Sequence, residues 1–234
     1  FVDSGEIRMH IRNTTTYQIV IDSVVTILDN EWNYIGVTYD GSSSASGVKI
    51  YINGIMQTTT VLHNDLNTGS IQSTDNKFMI GKRHNNSTYF EGLISDVRIY
   101  NTALTAEQVK DIYFNQTILG TEVLHCKFNE KIGTTAFDSS GNGNNGTLTN
   151  GPIYYLSNPY RNYAMKFDGS NDVNMGFVPK LNFSRTDSFT INCWLYVDGI
   201  SGSTHNYNNI LGQINSTDSV GWYIQQHLTQ FWLQ

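Results

Sequence analysis

LISDVRIYNTALTAEQVKDIY, residues 93–113, reads as a strand, a short connection and a capped helix. That is the pattern of an element that closes a domain. Thr105 stands at the N-cap position and Gln108 three residues later, so each side chain can satisfy one orphan N–H of the first turn. Leu104 and Val109 add a hydrophobic staple. From Ala106 to about Phe114 the apolar set Val109, Ile112 and Tyr113 recurs at helical spacing, with Glu107, Lys110 and Asp111 on the other face. The sequence therefore predicts a surface helix. It lies at the midpoint of 234 residues, which is early for a closing element.

Outward from this stretch the chain changes to short alternating runs separated by Asn, Gly, Ser, Thr and Asp clusters, which predicts an all-β protein. WNYIGVTYDG places Ile35, Val37 and Tyr39 on one face and Trp32, Tyr34 and Thr38 on the other, then stops at Asp40-Gly41. VKIYINGIMQ follows with Val48, Ile50 and Ile52 as its apolar face, and Asn53-Gly54 supplies the positive-φ pair of a two-residue hairpin. KFMIGKR and FEGLISDVRIY lead into the helix. After Thr121 a second set of strands begins: VLHCKFNE, YAMKFDGSNDVNMG, FTINCWLYVDG, NNILGQI, GWYIQQ and TQFWLQ. Ile35, Val37, Ile50, Ile52, Val97, Ile99, Phe128, Phe167, Ile191 and Leu195 occupy the apolar faces and are the expected core.

Apolar residues make up 39% and aromatics 12%, enough for a core, while charged residues are only 15%. The formal charge is −6 at pH 7 without a basic run, so a nucleic-acid footprint is lacking. No apolar run is long enough to span a membrane. The chain starts FVDSGEIRMH, with neither an initiator Met nor a signal peptide, which leads us to expect an excerpt of a longer polypeptide.

EWNYIGVTYDG, VKIYINGI, FMIGKR and YFEGLISDVRIYNTALTAEQVKDIY together resemble the second half of a laminin-G-like, concanavalin A-like jelly-roll domain. LHCKFNEKIGTTAFDSSGNGNNGTL, AMKFDGSNDVNMG and FTINCWLYV resemble the first half of the same kind of domain. The resemblance implies an antiparallel two-sheet jelly-roll sandwich with one short closing helix, but with the halves in reverse order. Residues 1–118 would be a C-terminal half and residues 119–234 the N-terminal half of the next repeat, or its circularly permuted complement. FVDSGEIRMHI and IQQHLTQFWLQ could be one strand seen twice, about 223 residues apart, as in a tandem array. A half-sandwich exposes apolar faces and open edges, so each half needs a complement, from neighbouring repeats or from the other half.

The resemblance also implies a module that binds sugars or proteins, or one that spaces other modules. Some relatives are glucanases, yet no Glu-x-Asp-x-Glu run, nucleophile elbow, His-Glu-x-x-His or phosphate-cradling loop occurs, so no catalytic residue is assigned. DSSGNGNNGT, residues 138–147, offers oxygens suited to a hard cation. Carried over from the resemblance, Asp138, Asn142 and Asn144 would ligate a structural Ca²⁺ from the loop and Asp96 from the DVRIYN strand. The alternative is an ordinary solvated turn. Two Asp before Val-Arg-Ile-Tyr are frequent in relatives, whereas Ser95 precedes Asp96 here. Asp168, Asn171 and Asp172 offer a second metal reading, against which a hairpin turn is preferred.

Loops joining aromatic rings to hydrogen-bonding side chains are the expected ligand sites. These are GKRHNNSTYF, with His84, Asn85, Asn86 and Tyr89, and STHNYNN, with His205 and Tyr207. Trp32, Trp194 and Trp222 are expected in the core. Cys126 and Cys193 lie on inward faces and are read as buried free thiols, although a disulfide would suit an extracellular protein. Asn-x-Ser/Thr sequons begin at Asn13, Asn85, Asn86, Asn115, Asn145, Asn182 and Asn215, many of them expected by chance in an Asn/Thr-rich chain. The resulting expectation is a non-catalytic, extracellular recognition segment of a repetitive surface or fibre protein. Its partner would be a carbohydrate or a surface protein. The alternatives are a spacer or virion component without ligand and an accessory sugar-binding module of a hydrolase.

Overall fold

The computed structural model describes residues 5–13, 17–66, 68–84, 88–116, 122–156, 159–160, 162–198, 207–216 and 220–228. The first group of strands is β1 (Gly5–Arg12), β2 (Gln18–Ile27), β3 (Trp32–Tyr39), β4 (Val48–Ile52), β5 (Ile55–Met56), β6 (Thr59–Asn64), β7 (Lys77–Ile80) and β8 (Glu91–Tyr100). The helix α1 (Ala106–Tyr113) follows. Then come β9 (Glu122–Cys126), β10 (Thr135–Ala136), β11 (Gly146–Thr149), β12 (Ile153–Tyr155), β13 (Ala164–Asp168) and β14 (Asp172–Gly176). The last three are β15 (Phe189–Val197), β16 (Tyr207–Ile214) and β17 (Gly221–Leu228).

Among the described residues these strands form two antiparallel sheets. One runs β10-β11-β14-β7-β16-β17-β1-β2-β6, and the other β12-β13-β8-β15-β3-β4-β5, with β9 also on β8. Both sheets interleave strands from before and after α1: β7 lies between β14 and β16, and β15 between β8 and β3. The two similar-looking segments at the chain ends contribute β1 and β17, which pair side by side with Met9 opposite Ile224. Strands from both halves of the chain thus share each sheet.

The core lies between the sheets and contains all ten expected residues, none more than 6% exposed. Trp194 and Trp222 are buried, and Trp32 is partly buried. Cys126 and Cys193 are buried free thiols, and burial pushes both upward in pKa. The β4–β5 hairpin forms as its Asn53-Gly54 pair demands, with φ of 51° and 77°. The Asp168–Asp172 segment departs from expectation. It is a turn, with the Ser170 amide donating to Asp168 Oδ1, but it is not a hairpin: β13 belongs to one sheet and β14 to the other. Turn residues reverse the chain; the pairing of each flanking strand is decided elsewhere.

The outward face of the eight-stranded sheet carries a second apolar cluster under α1, comprising Tyr34, Tyr51, Tyr100, Leu104, Val109, Ile112 and Trp194. The helix begins with the expected capping box between Thr105 and Gln108. It can approach the sheet because residue 36 is glycine: a Cβ there would meet Val109 Cγ1 at 3.1 Å and Asn192 Oδ1 at 3.0 Å.

Candidate ligand-binding face

The outward face of the nine-stranded sheet is polar. In β1, Ile7, Met9 and Ile11 enter the core, which directs Glu6, Arg8, His10 and Arg12 outward by the two-residue period of a strand. Register with β17 sets His10 opposite Tyr223, Arg8 opposite Gln225 and Glu6 opposite His227. Register with β2 sets Arg8 opposite Asp22, where the guanidinium donates from Nε and Nη2 to the two carboxylate oxygens, each at 2.6 Å. Asp22 thereby fills the fork of Arg8.

Around His10 the arrangement differs. Its ring stacks on Tyr223, with centroids 4.2 Å apart and planes 12° from parallel. The Tyr223 hydroxyl accepts from Arg12 Nη1 at 3.1 Å and from Arg83 Nη1 at 3.0 Å. The Arg83 guanidinium also lies over the Tyr223 ring, 4.9 Å from its centroid. His10 is only 8% exposed, yet neither ring nitrogen has a hydrogen-bond partner among the described residues. Burial, then the charges of Arg12, Arg8, Arg83 and His63, hold its pKa well below the usual histidine range. An unpaired buried polar atom costs about 1–3 kcal/mol, so this face keeps hydrogen-bonding capacity that folding does not use. At its opposite end, Glu6, Asp22 and His227 bring ligand atoms within 4.8 Å of one another.

The expected ligand loop 81–90 reaches this face. Arg83 crosses Tyr223 opposite Gly212, and His84 Nδ1 contacts the Ile214 carbonyl at 3.2 Å. Tyr89 takes the Lys82 ammonium over its ring at 4.7 Å. Tyr207 opens β16 opposite His227. His84, Tyr89 and Tyr207 therefore border one sheet; Asn85, Asn86 and His205 lie outside the described residues. Sequence reading passed over His10, Arg12, Arg83 and Tyr223. The available signal was EIRMHIR, in which apolar and polar residues alternate without exception from Glu6 to Arg12.

The residues considered for Ca²⁺ lie around β8, β9 and the connection between β10 and β11. Asp138 Oδ1 accepts the amides of His125 at 3.0 Å and Ser140 at 2.9 Å, and Oδ2 accepts that of Asn144 at 3.0 Å. Burial acts to raise the Asp138 pKa, but these hydrogen bonds outweigh it and hold the carboxyl below its ordinary value. Asn142 Nδ2 donates to the Val123 carbonyl at 3.2 Å and Asn144 Nδ2 does so at 3.1 Å, while Asn142 Oδ1 accepts from Lys180 Nζ. A cleft of about 630 Å³, lined by Asn101, Glu122, Asn142, Lys180 and Asp187, opens beside this contact. A Ca²⁺ ion using Asn142 would have to displace the Lys180 ammonium.

Asp96 is brought near by a β-bulge. Between Ser95, paired with Trp194, and Arg98, paired with Asn192, β8 carries one residue more than β15, and Asp96 has φ of 49°. The bulge turns Asp96 outward beside Arg98, which donates to its two oxygens at 3.0 and 3.1 Å. His125 Nε2 lies 2.7 Å from Asp96 Oδ1, and its Nδ1 lies 3.6 Å from Glu122 Oε2. Burial opposes the charge of Asp96, yet His125 and Arg98 hold its pKa well below the carboxylate range. Asp96 and Asp138 thus flank His125, one on its ring and one on its amide. Asp96 is already neutralised by protein cations, an arrangement that leaves it poorly suited to completing a Ca²⁺ shell with the loop.

Residues 1–110 match the family model of the concanavalin A-like lectin/glucanases superfamily. No curated protein and no solved structure gives a significant match. The match covers β1 to β8, and with them His10, Arg12 and Arg83. Among the described residues, no helix is long and apolar enough to cross a membrane.

Proposed function

We propose that this chain is a non-catalytic recognition module of an extracellular, repetitive surface or fibre protein. It binds a carbohydrate or a surface protein across the outward face of its nine-stranded sheet. The superfamily match over residues 1–110 supports a binding module of this class. The observation that carries the choice of face is His10, a buried imidazole on the side of the sheet away from the core, with two nitrogens that have no hydrogen-bond partner among the described residues. Buried polar groups in folded proteins are nearly all satisfied, so each exception calls for an explanation, and a bound ligand is one. Interleaving of strands from both sides of α1 supports the view that the two halves complement each other as a permuted sandwich, with neighbouring repeats joined end to end. A structural Ca²⁺ on Asp138, Asn142 and Asn144 belongs to the proposal only as an ion that competes with Lys180.

The test is a binding screen against arrays of neutral and acidic glycans and immobilised extracellular-matrix proteins. Whatever is retained should lose about tenfold in affinity on Arg12→Ala or Gln225→Ala, the loss expected for one hydrogen bond of about 1.4 kcal/mol. Lys49→Gln, on the other sheet, should leave affinity unchanged. Binding that survives both face variants would move the site elsewhere, and a screen without a hit would favour a spacer.

A further inference from the structure

We infer that the β5–β6 edge of the sandwich is an interface between two copies of this chain, packed edge to edge about a two-fold axis. The inference stands apart from the recognition face and does not rest on it.

The two edges of the sandwich end differently. In the eight-stranded sheet β5 pairs with β4, which sets Ile55 opposite Ile52 and on the same side, toward the space between the sheets. Ile52 is buried there, yet Ile55 is 68% exposed. In the nine-stranded sheet β6 pairs with β2, which sets Val61 opposite the buried Ile21, yet Val61 is 52% exposed. The apolar interior therefore runs out to solvent between β5 and β6. At the far edge it is closed: Tyr154 of β12 packs against the core, and its hydroxyl donates to the Thr135 carbonyl of β10, tying the outermost strands of the two sheets together.

Met56, Leu62, Val24 and Val25 extend the opening, each of them exposed. The Val24 amide donates to the Thr58 carbonyl at 3.0 Å, which holds the bulged stretch of β2 beside the crossing from β5 to β6. Single exposed apolar residues are ordinary on a protein surface, but six joined along one edge mark a contact.

Charge selects the occupant. From Ile50 to Asn64 the sequence contains no Asp, Glu, Lys or Arg, while the chain as a whole carries −6. Two copies repel each other over most approaches, and this uncharged edge is where they meet without setting like charges together. A charged partner would find nothing there to pair with. A two-fold axis sets the patch against itself, so the apolar side chains of one copy cover those of the other. Side-chain packing is the mode of contact, because β6 is a poor template for a longer ladder. Leu62 is an extra residue between Val61, opposite Ile21, and His63, opposite Val20, and Asn64 Oδ1 already accepts the Ala45 amide. Since β1 and β17 lie behind β2 and β6 in the sheet order, their outward faces stay open in both copies. The pair would then carry two such faces, able to act together on a repetitive partner.

Sedimentation velocity on the chain from about 1 µM to about 100 µM tests this, a range that spans micromolar affinity. The expected result is a reversible monomer–dimer equilibrium with the dimer dominant at the top. Ile55→Lys and Val61→Lys should each raise the dissociation constant about tenfold or more, by placing like charges across the axis. Each also reduces the overall negative charge, so a weaker dimer reports the contact and not general repulsion. Phe137→Lys, comparably exposed on the opposite edge, should leave the equilibrium unchanged. Thr60→Lys, exposed on β6, repeats the test should another variant fail to fold. A monomer at every concentration would overturn the inference, and its binding to neutral phosphatidylcholine vesicles would give the edge to a lipid surface instead. A dimer indifferent to the β5 and β6 variants, or weakened equally by Phe137→Lys, would place the contact elsewhere. Species that keep growing beyond the dimer would overturn the two-fold arrangement.

Discussion

The outward faces of the two sheets use the same residue types to opposite ends. On the eight-stranded sheet, Arg98, Asp96, His125, Glu122 and Tyr100 form a continuous chain of contacts, and α1 seals the adjoining aromatic cluster. On the nine-stranded sheet, Arg12 and Arg83 meet at a neutral hydroxyl, and the His10 nitrogens have no hydrogen-bond partner among the described residues. Asp96 answers the charges of Arg98 and His125 on the first face, as Asp22 answers Arg8 on the second; His10 has no such counterpart among the described residues. Buried charge by itself is therefore no guide to function in this molecule. Whether the charge is already answered is the guide.

The strongest way to break the contrast is Asp96→Ala. It would strand the buried Arg98 and His125 without their carboxylate and should cost about 3–5 kcal/mol, read from urea denaturation midpoints. A loss comparable to that of an exposed ion pair would show that the network is solvated. Next comes Ile112→Val in the second core, expected to cost about 0.5–1.5 kcal/mol because it removes one buried methylene beneath α1. Thr105→Ala removes the helix cap, with about 1 kcal/mol expected in the same assay.

A fourth variant sharpens the contrast most. His10→Phe preserves a ring against Tyr223 and removes two nitrogens that have no hydrogen-bond partner among the described residues, so stability at neutral pH should rise, by about 1–3 kcal/mol. Its signature lies in pH. The folded-state pKa of His10 is lowered, so its contribution is full above about pH 6.5 and is lost as pH falls from there through the lowered folded value. His125 behaves oppositely: burial acts to lower it, but Asp96 and Glu122 raise it overall. Its contribution is full below about pH 6.5 and is lost as pH rises through the raised folded value. His10→Phe should flatten the acid side of the stability profile and leave the alkaline side alone, as followed by melting temperature between about pH 5 and pH 8.

Much of the fold was legible because alternation and turn chemistry act locally. Ile35 and Val37, the Asn53-Gly54 hairpin and the Thr105–Gln108 box each depend on a few neighbours. Misreading the Asp168–Asp172 turn as a hairpin has the same origin, since local residues specify a reversal and distant partners specify which sheet receives each strand. The site was less legible. Residues 81–90 were marked as a ligand loop for their His, Asn and Tyr, whereas Arg83 is the side chain that reaches Tyr223. Its meeting with Arg12 requires β17 beside β1, a pairing between opposite ends of the chain that no local pattern encodes. The bulge at Asp96 was hidden for a related reason: the extra residue exists only relative to β15.

For the loop at Asp138, melting in excess Ca²⁺ and in chelator separates two outcomes. With Lys180 already on Asn142 and three amides on the Asp138 carboxylate, the two curves should coincide. A rise that grows with free Ca²⁺, about 2.7 kcal/mol at a hundred times the dissociation constant, would instead establish a bound ion.

The central claim is that recognition belongs to the nine-stranded sheet, and backbone amide spectra recorded during titration with the tightest saccharide of the screen test it most directly. Shifts should concentrate on β1, β16, β17 and Lys82–His84, with β3, β8 and β15 unmoved. Shifts gathered on β3, β8 and β15, with β1 and β17 silent, would contradict it.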